Sequence, residues 1–99
     1  IGSVVGMKLW KLTSHHQVLC VTHLPQIAAF ADHHYRVYKE IVGERTQTKV
    51  DLLTGPDRIQ ELAQMLGSDT DVTYRNAQEM CEQIALQKEQ AGEVQHKRG

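Results

Sequence analysis

The sequence predicts an α/β fold in which a buried strand of the parallel-sheet type and a β-hairpin are flanked by helices. Three observations support this prediction. The run VLCV at 18–21 is continuously apolar and contains two valines, as expected for a short strand that is buried on both faces. Two segments at 34–42 and 45–53 alternate between polar and apolar residues, with a two-residue break between them. Amphipathic patterns of helical period lie on both sides of these strands.

The composition is that of one soluble globular domain. The chain has 99 residues, of which 40% are hydrophobic and 23% are charged, and its net charge of -1 favours neither nucleic acid nor an anionic membrane. Its two cysteines, Cys20 and Cys81, form no disulfide framework and fit a reducing compartment. No apolar stretch approaches the roughly 20 residues of a membrane helix, and no signal segment opens the chain. We therefore expect a cytoplasmic protein with no membrane partner.

The first half of the chain contains a helix, the buried strand and a second, shorter helix. VVGMKLWKL predicts an amphipathic helix, which is followed by the polar break TSHHQ and then by the strand. Pro25 fits the first turn of the short helix QIAAFA, where its missing N–H costs nothing. Trp10 is assigned to packing, with an interface to another protein molecule as the alternative. The residues expected to face inward are Val5, Leu9 and Leu12 in the first helix and Ile27, Ala28 and Ala31 in the second.

The second half contains the hairpin and two helices. Gly43 and Glu44 suit a two-residue turn with glycine first. Gly67 is a good stop residue for the helix that follows the hairpin, and Thr73 is a candidate cap for the last helix. The expected core residues are Ile59, Leu62, Ala63 and Leu66 in the first of these helices and Ala77, Met80, Cys81, Ile84 and Ala85 in the last.

The buried strand raises a question of domain completeness. A single strand cannot form a parallel sheet, so its neighbours must come from a longer parent chain or from another copy. The chain also begins without methionine, inside a helical pattern. We therefore expect a truncated domain over residues 1–90, followed by a polar tail over 91–99 that frays.

His23 is the candidate functional residue, because it lies two residues beyond the predicted strand. In open α/β sheets, ligands bind beyond the carboxyl ends of the strands. An imidazole at that position can donate a hydrogen bond to a phosphate oxygen or orient an attacking water. The alternative is a capped loop histidine without a chemical role, and spacing alone does not decide between the two.

Several segments of the sequence resemble one protein family. QVLCVTHLPQIAAFADHHYRVYK resembles the end of the ATPase head in RecN, a family of bacterial DNA-repair proteins related to structural-maintenance-of-chromosomes (SMC) and ABC-type ATPases. VTHLPQIAA is the most specific part of this match. VVGMKLWKL resembles the helix after that family's Walker B and D-loop segment, and RTQTKVDLL resembles a late strand. RIQELAQMLG resembles the helix ER-x-x-E-[IL]-A-[RQ]-M-L-G, and NAQEM resembles the closing helix A-x-E-[ML]. The resemblance covers about residues 3–85.

The resemblance implies that the domain is the C-terminal lobe of a P-loop ABC/SMC-type ATPase head. It places His23 at the switch-histidine position, where the imidazole reaches the γ-phosphate of ATP and helps to align the hydrolytic water. It also implies ATP and Mg2+ as cofactors of the parent protein, which would be an ATPase serving double-strand-break repair by recombination at the bacterial nucleoid. The implied partners are the N-terminal half of the same head, a second head in a homodimer, and DNA bound through the parent protein.

Most of the elements that hydrolyse ATP are absent from this sequence. It contains no phosphate-cradling glycine loop with its lysine, no magnesium-binding aspartate with its catalytic glutamate, and no signature loop. IGSVVG contains glycines but does not match G-x-x-x-x-G-K-[ST]. We therefore expect the isolated chain to bind no cofactor tightly and to be inactive. The alternative function is a non-catalytic interaction module that completes or competes with another ATPase head through the edges beside VLCV.

Three other kinds of site have candidate residues in this sequence: a zinc site, a thiol nucleophile and a basic DNA contact. A zinc site, as in a metal-dependent hydrolase, is conceivable at Cys20, His23, His33 and His34. We expect no metal there, because a cysteine inside a buried strand is a poor ligand position. Cys20 and His23 also resemble a thiol nucleophile with its base, although burial would raise the thiol pKa. The cations near the C-terminus are expected to be solvated, with a DNA contact as the alternative: Lys88, Lys97 and Arg98.

Overall fold

The computed structural model describes the backbone of residues 2–68 and 70–98, and the side chains of this range as far as residue 92. It combines helices with one two-stranded antiparallel sheet. The elements in chain order are α1 (Gly2–Leu12), α2 (Pro25–Ala28), β1 (His34–Val42), β2 (Arg45–Leu53), α3 (Gly55–Met65) and α4 (Asp71–Arg98). The mixed α and β character predicted from the sequence is confirmed, with four helices and two strands in the described ranges.

The core lies where the segment around α2 meets α3 and α4. Phe30 is 3% exposed, and Leu62 of α3 and Ala77 of α4 are fully buried. Pro25 occupies the first turn of α2, as predicted, and is itself buried. The remaining buried apolar residues of this cluster are Ala28, Ala29, Ala63 and Ile84.

Helix α1 meets this core through a different face from the predicted one. Val5 and Leu12 are 39% and 50% exposed, whereas Gly6 is buried and Trp10 packs against the core. A Cβ atom at Gly6 would lie 2.3 Å from Cδ2 of Phe30, so only glycine permits this approach. The backbone of α1 therefore rests on the Phe30 ring, and its orientation follows from that contact. The assignment of Trp10 to packing is confirmed.

The β-hairpin forms as predicted. Strands β1 and β2 pair in antiparallel register, from His34 opposite Leu53 to Val42 opposite Arg45. Gly43 has φ of 63°, a value that favours glycine and suits a two-residue hairpin turn. One face of the hairpin carries apolar side chains that are at least half exposed: Tyr35, Val37, Ile41, Val50 and Leu52.

Helix α4 begins one turn earlier than predicted and continues further. Thr70, rather than Thr73, precedes its first turn. The N–H of Thr73 donates to Oγ1 of Thr70 (3.2 Å), and the N–H of Thr70 donates to Oγ1 of Thr73 (2.9 Å). The helix runs through the polar segment 91–98. The side chains of Lys97 and Arg98 lie outside the described residues. None of the described helices is both long and apolar enough to cross a bilayer.

The predicted buried strand at 18–21 is wrong for this structure. The segment has no regular secondary structure, and Leu19 and Val21 are 90% and 96% exposed. Cys20 is exposed as well. A strand needs a neighbour to satisfy its backbone N–H and C=O groups, and within the described ranges β1 and β2 pair only with each other. The segment therefore has the composition of a buried strand but no sheet to join.

Candidate functional site

His23 lies in a tight turn directly before α2. The backbone N–H of Leu24 donates to Oγ1 of Thr22 (3.0 Å), which closes the turn around the histidine. The carbonyl oxygen of Leu24 then accepts from the N–H groups of Ile27 (3.1 Å) and Ala28 (3.0 Å) and so begins the helix. The His23 side chain is exposed. The turn therefore fixes the backbone of His23 while leaving the imidazole open to solvent.

The short helix after His23 is anchored in the core. Pro25, Ala28, Ala29 and Phe30 are all buried. Pro25 also restricts the backbone at the first helical position, because its ring fixes φ. The distance along the chain from His23 to this buried anchor is only two residues. His23 is therefore tied closely along the chain to a buried part of the core.

Arg58 of α3 holds the opposite end of the same helix. Its Nη2 donates to the carbonyl oxygens of Ala29 (3.1 Å) and Ala31 (2.7 Å). These carbonyls follow the last turn of α2, where helical acceptors lack partners within the helix and the dipole favours a cation. The contact is partly buried, so water competes with it less than at an open surface.

Arg58 and Glu61 both lie close enough to His34 to shift its pKa. Burial lowers the pKa of His34, and the guanidinium of Arg58 lowers it further, whereas the carboxylate of Glu61 opposes the shift. His34 is therefore neutral at pH 7 and adds no second positive charge. Nδ1 of His34 and Nε of Arg58 are buried and make no hydrogen bond with the described residues. Glu61 also lies 3.7 Å from Nε of Arg36 on the hairpin.

A second polar cluster joins α1, the segment after α2, and α4. Nε1 of Trp10 donates to Oδ1 of Asp32 (3.1 Å), and Nζ of Lys88 lies 3.3 Å from the same oxygen. The Lys88 ammonium also sits 5.2 Å from the centre of the Trp10 ring. Its side chain is only 19% exposed. The expectation of a fully solvated Lys88 is therefore wrong, because the residue is paired within the fold.

Comparison with curated proteins places this chain among RecN sequences. It is 43% identical to DNA repair protein RecN of Haemophilus influenzae over 85 residues, which cover 84% of the chain and 15% of that protein. It is 46% identical to DNA repair protein RecN of Deinococcus radiodurans over 77 residues, 77% of the chain and 14% of that protein. The corresponding protein of Bacillus subtilis is 38% identical over 85 residues, 84% of the chain and 15% of the relative. The chain belongs to the RecN family.

The RecN match covers most of this chain but only a small part of each relative. The chain aligns with the C-terminal part of these relatives and spans about 15% of their length. No protein-family model matches the chain. The described structure accordingly contains the His23 turn and its supports, but the sequence carries no phosphate-binding glycine loop.

The structure bears on the metal site and on the two cysteines of this RecN segment. Within the described side chains, no three His, Cys, Asp or Glu residues come close enough to share a metal ion. The predicted burial of Cys20 is wrong, since this thiol is exposed. Cys81 of α4 is half-buried, and burial raises the pKa of its thiol. It therefore remains a protonated packing residue at neutral pH rather than a nucleophile.

Sequence reasoning selected His23 as a candidate, whereas no sequence pattern pointed to Arg58. The acceptors of the Arg58 guanidinium are backbone carbonyls 27 and 29 positions earlier in the chain. Backbone acceptors have no residue type, so no sequence pattern marks them. The only available signal is an arginine near the start of an amphipathic helix, where its charge does not complement the helix dipole.

Proposed function

We propose that this RecN-family chain contributes the switch histidine of a DNA-repair ATPase, and that this residue is His23. An imidazole N–H can donate to the γ-phosphoryl oxygens, where negative charge is carried during transfer to water. The same ring can hold the attacking water in line. The glycine loop, the magnesium ligands and the water-activating acid would come from the rest of the ATPase head, since this sequence lacks them. ATP with Mg2+ would supply the phosphoryl group and its charge neutralisation.

The geometry of His23 is the observation that carries the proposal. The side chain is exposed, yet its backbone is tied by the Thr22 hydroxyl on one side and by buried Pro25 on the other. Electrostatic stabilisation of a transition state requires donors that are already in place, because reorientation during the reaction costs free energy. An exposed ring on a backbone tied in this way meets that requirement.

The exposed apolar segment before His23 supports the same proposal. Leu19 and Val21 are almost fully exposed, although their composition suits a buried strand. In a complete ATPase head, strands from the N-terminal half would lie on both sides of this segment and bury it. The parent protein would then hydrolyse ATP as its heads dimerise and would act on DNA in recombinational repair. Its relatives are named DNA repair proteins, which supports the repair part of this proposal.

A chimera provides a direct test. The matching C-terminal segment of Haemophilus influenzae RecN, to which this chain is 43% identical, is replaced by this chain. We expect His23→Gln to lower kcat for ATP hydrolysis about 10²-fold, the typical loss when one charge-stabilising donor is removed. The affinity for ATP should change little, because most phosphate contacts come from other residues. Steady-state hydrolysis and fluorescent-nucleotide titration measure the two quantities.

His33→Gln is the matched control, since His33 is also an exposed histidine and lies ten positions further along the chain. It should leave both quantities unchanged. If His23→Gln hydrolyses ATP at the rate of the unsubstituted chimera, His23 is not the switch histidine. That outcome would favour the alternative, a non-catalytic interaction module, which the exposed Leu19 and Val21 also support.

A further inference from the structure

Arg58 occupies the position from which the His23 turn can be held in place. We propose that Arg58 is a positioning residue for His23, acting through α2, and that hydrolysis depends on this contact. The inference rests on the proposed function of His23. Arg58 itself lies at the far end of α2 from His23, so its effect on the reaction would be indirect.

Helix α2 depends on contacts at its ends. It contains four residues, Pro25–Ala28, and a helix this short is not stable alone. At its start, Leu24 supplies the first acceptor carbonyl and the Thr22 hydroxyl closes the preceding turn. At its end, Arg58 donates to two partly buried acceptors, the carbonyls of Ala29 and Ala31. Release of the second contact would let α2 rotate, and His23 would move with it.

Arg58 is well placed to resist such a movement. It lies one helical turn before Leu62, which is fully buried, so its backbone is fixed to the core through α3. Both hydrogen bonds come from Nη2, whose two N–H groups are fixed in the plane of the guanidinium, whereas the ammonium of lysine is a compact charge on a flexible stem. The chemistry of arginine therefore matches the two acceptors at the end of α2.

The test is a double-mutant cycle in the chimera. Arg58→Leu should lower kcat for ATP hydrolysis at least about tenfold, because small displacements of a catalytic group are costly, and should leave KM within about twofold. In the His23→Gln background the same substitution should lower kcat by less than about twofold, since a misplaced glutamine has no function to lose. Arg58→Lys should recover part of the activity. Arg45→Leu is the control and should leave kcat unchanged, because Arg45 is exposed and adjoins the hairpin turn, opposite Val42.

An equal loss in both backgrounds would overturn the inference, because Arg58 would then support the fold rather than His23. A variant that does not fold would show the same equal loss. The cycle also separates the two proposals. If His23→Gln has no effect on kcat, the proposed function fails, whatever Arg58 does.

Amide hydrogen exchange in the 99-residue chain tests the contact without ATP. Arg58→Leu should accelerate exchange at the N–H of Ala28, which donates to Leu24, by at least about tenfold through local opening. Exchange at the N–H of Leu66, which donates to Leu62, should change by less than about twofold. Acceleration at both amides, or at neither, would show that Arg58 does not hold α2 specifically.

Discussion

Gly6 is the residue at which α1 touches the core. Its Cα faces the ring of Phe30, and a Cβ atom there would lie 2.3 Å from Cδ2 and 2.9 Å from Cε2. Phe30 is 3% exposed and cannot move aside without disturbing Ala28, Ala29 and the helices around it. The close approach of α1 therefore depends on the absence of a side chain at this position.

Gly6→Ala should lower the free energy of unfolding by about 1–2 kcal/mol, because overpacking outweighs the gain in helix propensity. Urea unfolding followed by circular dichroism measures the change. Gly92→Ala in α4 is the matched control, since a Cβ there meets no atom within 4 Å. That substitution should be neutral or stabilising by up to about 1 kcal/mol. If the two substitutions change the free energy of unfolding equally, the Gly6–Phe30 contact does not constrain what can stand at position 6.

Single residues also show what the sequence can and cannot predict. The choice of His23 as a candidate rested on its place after an apolar run and on its resemblance to a motif, both of which are local patterns, and it stays a prediction. The inward face of α1 did not follow, because hydrophobic periodicity assigns helix faces from large side chains and gives glycine no weight. The contacts of Arg58 did not follow either, because they join it to two backbone carbonyls that come close only on folding.

At the scale of elements, the two N-terminal caps of α3 and α4 differ. Thr70 exchanges reciprocal hydrogen bonds with Thr73, which satisfies a backbone donor in the first turn of α4. Thr54 holds the corresponding position before α3, but its side chain makes no capping hydrogen bond. The chain therefore contains two threonines at equivalent positions, of which only one caps.

Thr70→Ala should lower the free energy of unfolding by about 1 kcal/mol, the usual cost of losing an N-cap. Thr54→Ala should change it by less than about 0.5 kcal/mol, as for a surface substitution without a special contact. Thermal and urea unfolding of both variants measure these two changes in the free energy of unfolding. The assignment of Thr70 as the cap fails if the two substitutions cost the same.

The elements differ in how far local patterns determine them. The hairpin was predicted to the residue, because alternation over nine residues on each side of a glycine turn specifies both strands and their register. The segment 18–21 has an equally clear strand pattern, but a strand needs hydrogen-bonding neighbours and these do not occur in the described ranges. Composition indicates what a segment can form, whereas the sheet around it decides whether it does.

At the scale of the whole molecule, the chain exposes more surface than a compact protein of its mass. Its accessible surface is 7652 Å², against about 5,700 Å² expected for a monomer of this size. Its radius of gyration is 15.5 Å, against about 13 Å for a compact domain of 100 residues. The 28-residue helix α4 accounts for part of the elongation, since it alone extends for about 42 Å. Segment 18–21 and the apolar hairpin face account for part of the exposed apolar surface.

Replacing Leu19 and Val21 together by lysine should affect the isolated chain and the chimera in opposite ways. In the 99-residue chain, where both residues are almost fully exposed, the charges should reduce self-association, which sedimentation velocity measures. In the RecN chimera, the same lysines should be forced into the interior of a sheet. There they should abolish ATP hydrolysis and lower the melting temperature, because burial of an unpaired charge is strongly unfavourable.

Val72→Lys controls for added charge, since Val72 is 67% exposed on α4 and is not part of segment 18–21. It should leave the hydrolysis rate and the melting temperature of the chimera unchanged. If the doubly substituted chimera remains stable and active, segment 18–21 stays exposed in the complete head as well. The apolar run would then not be an interior strand, and His23 would have no sheet edge from which to reach a nucleotide.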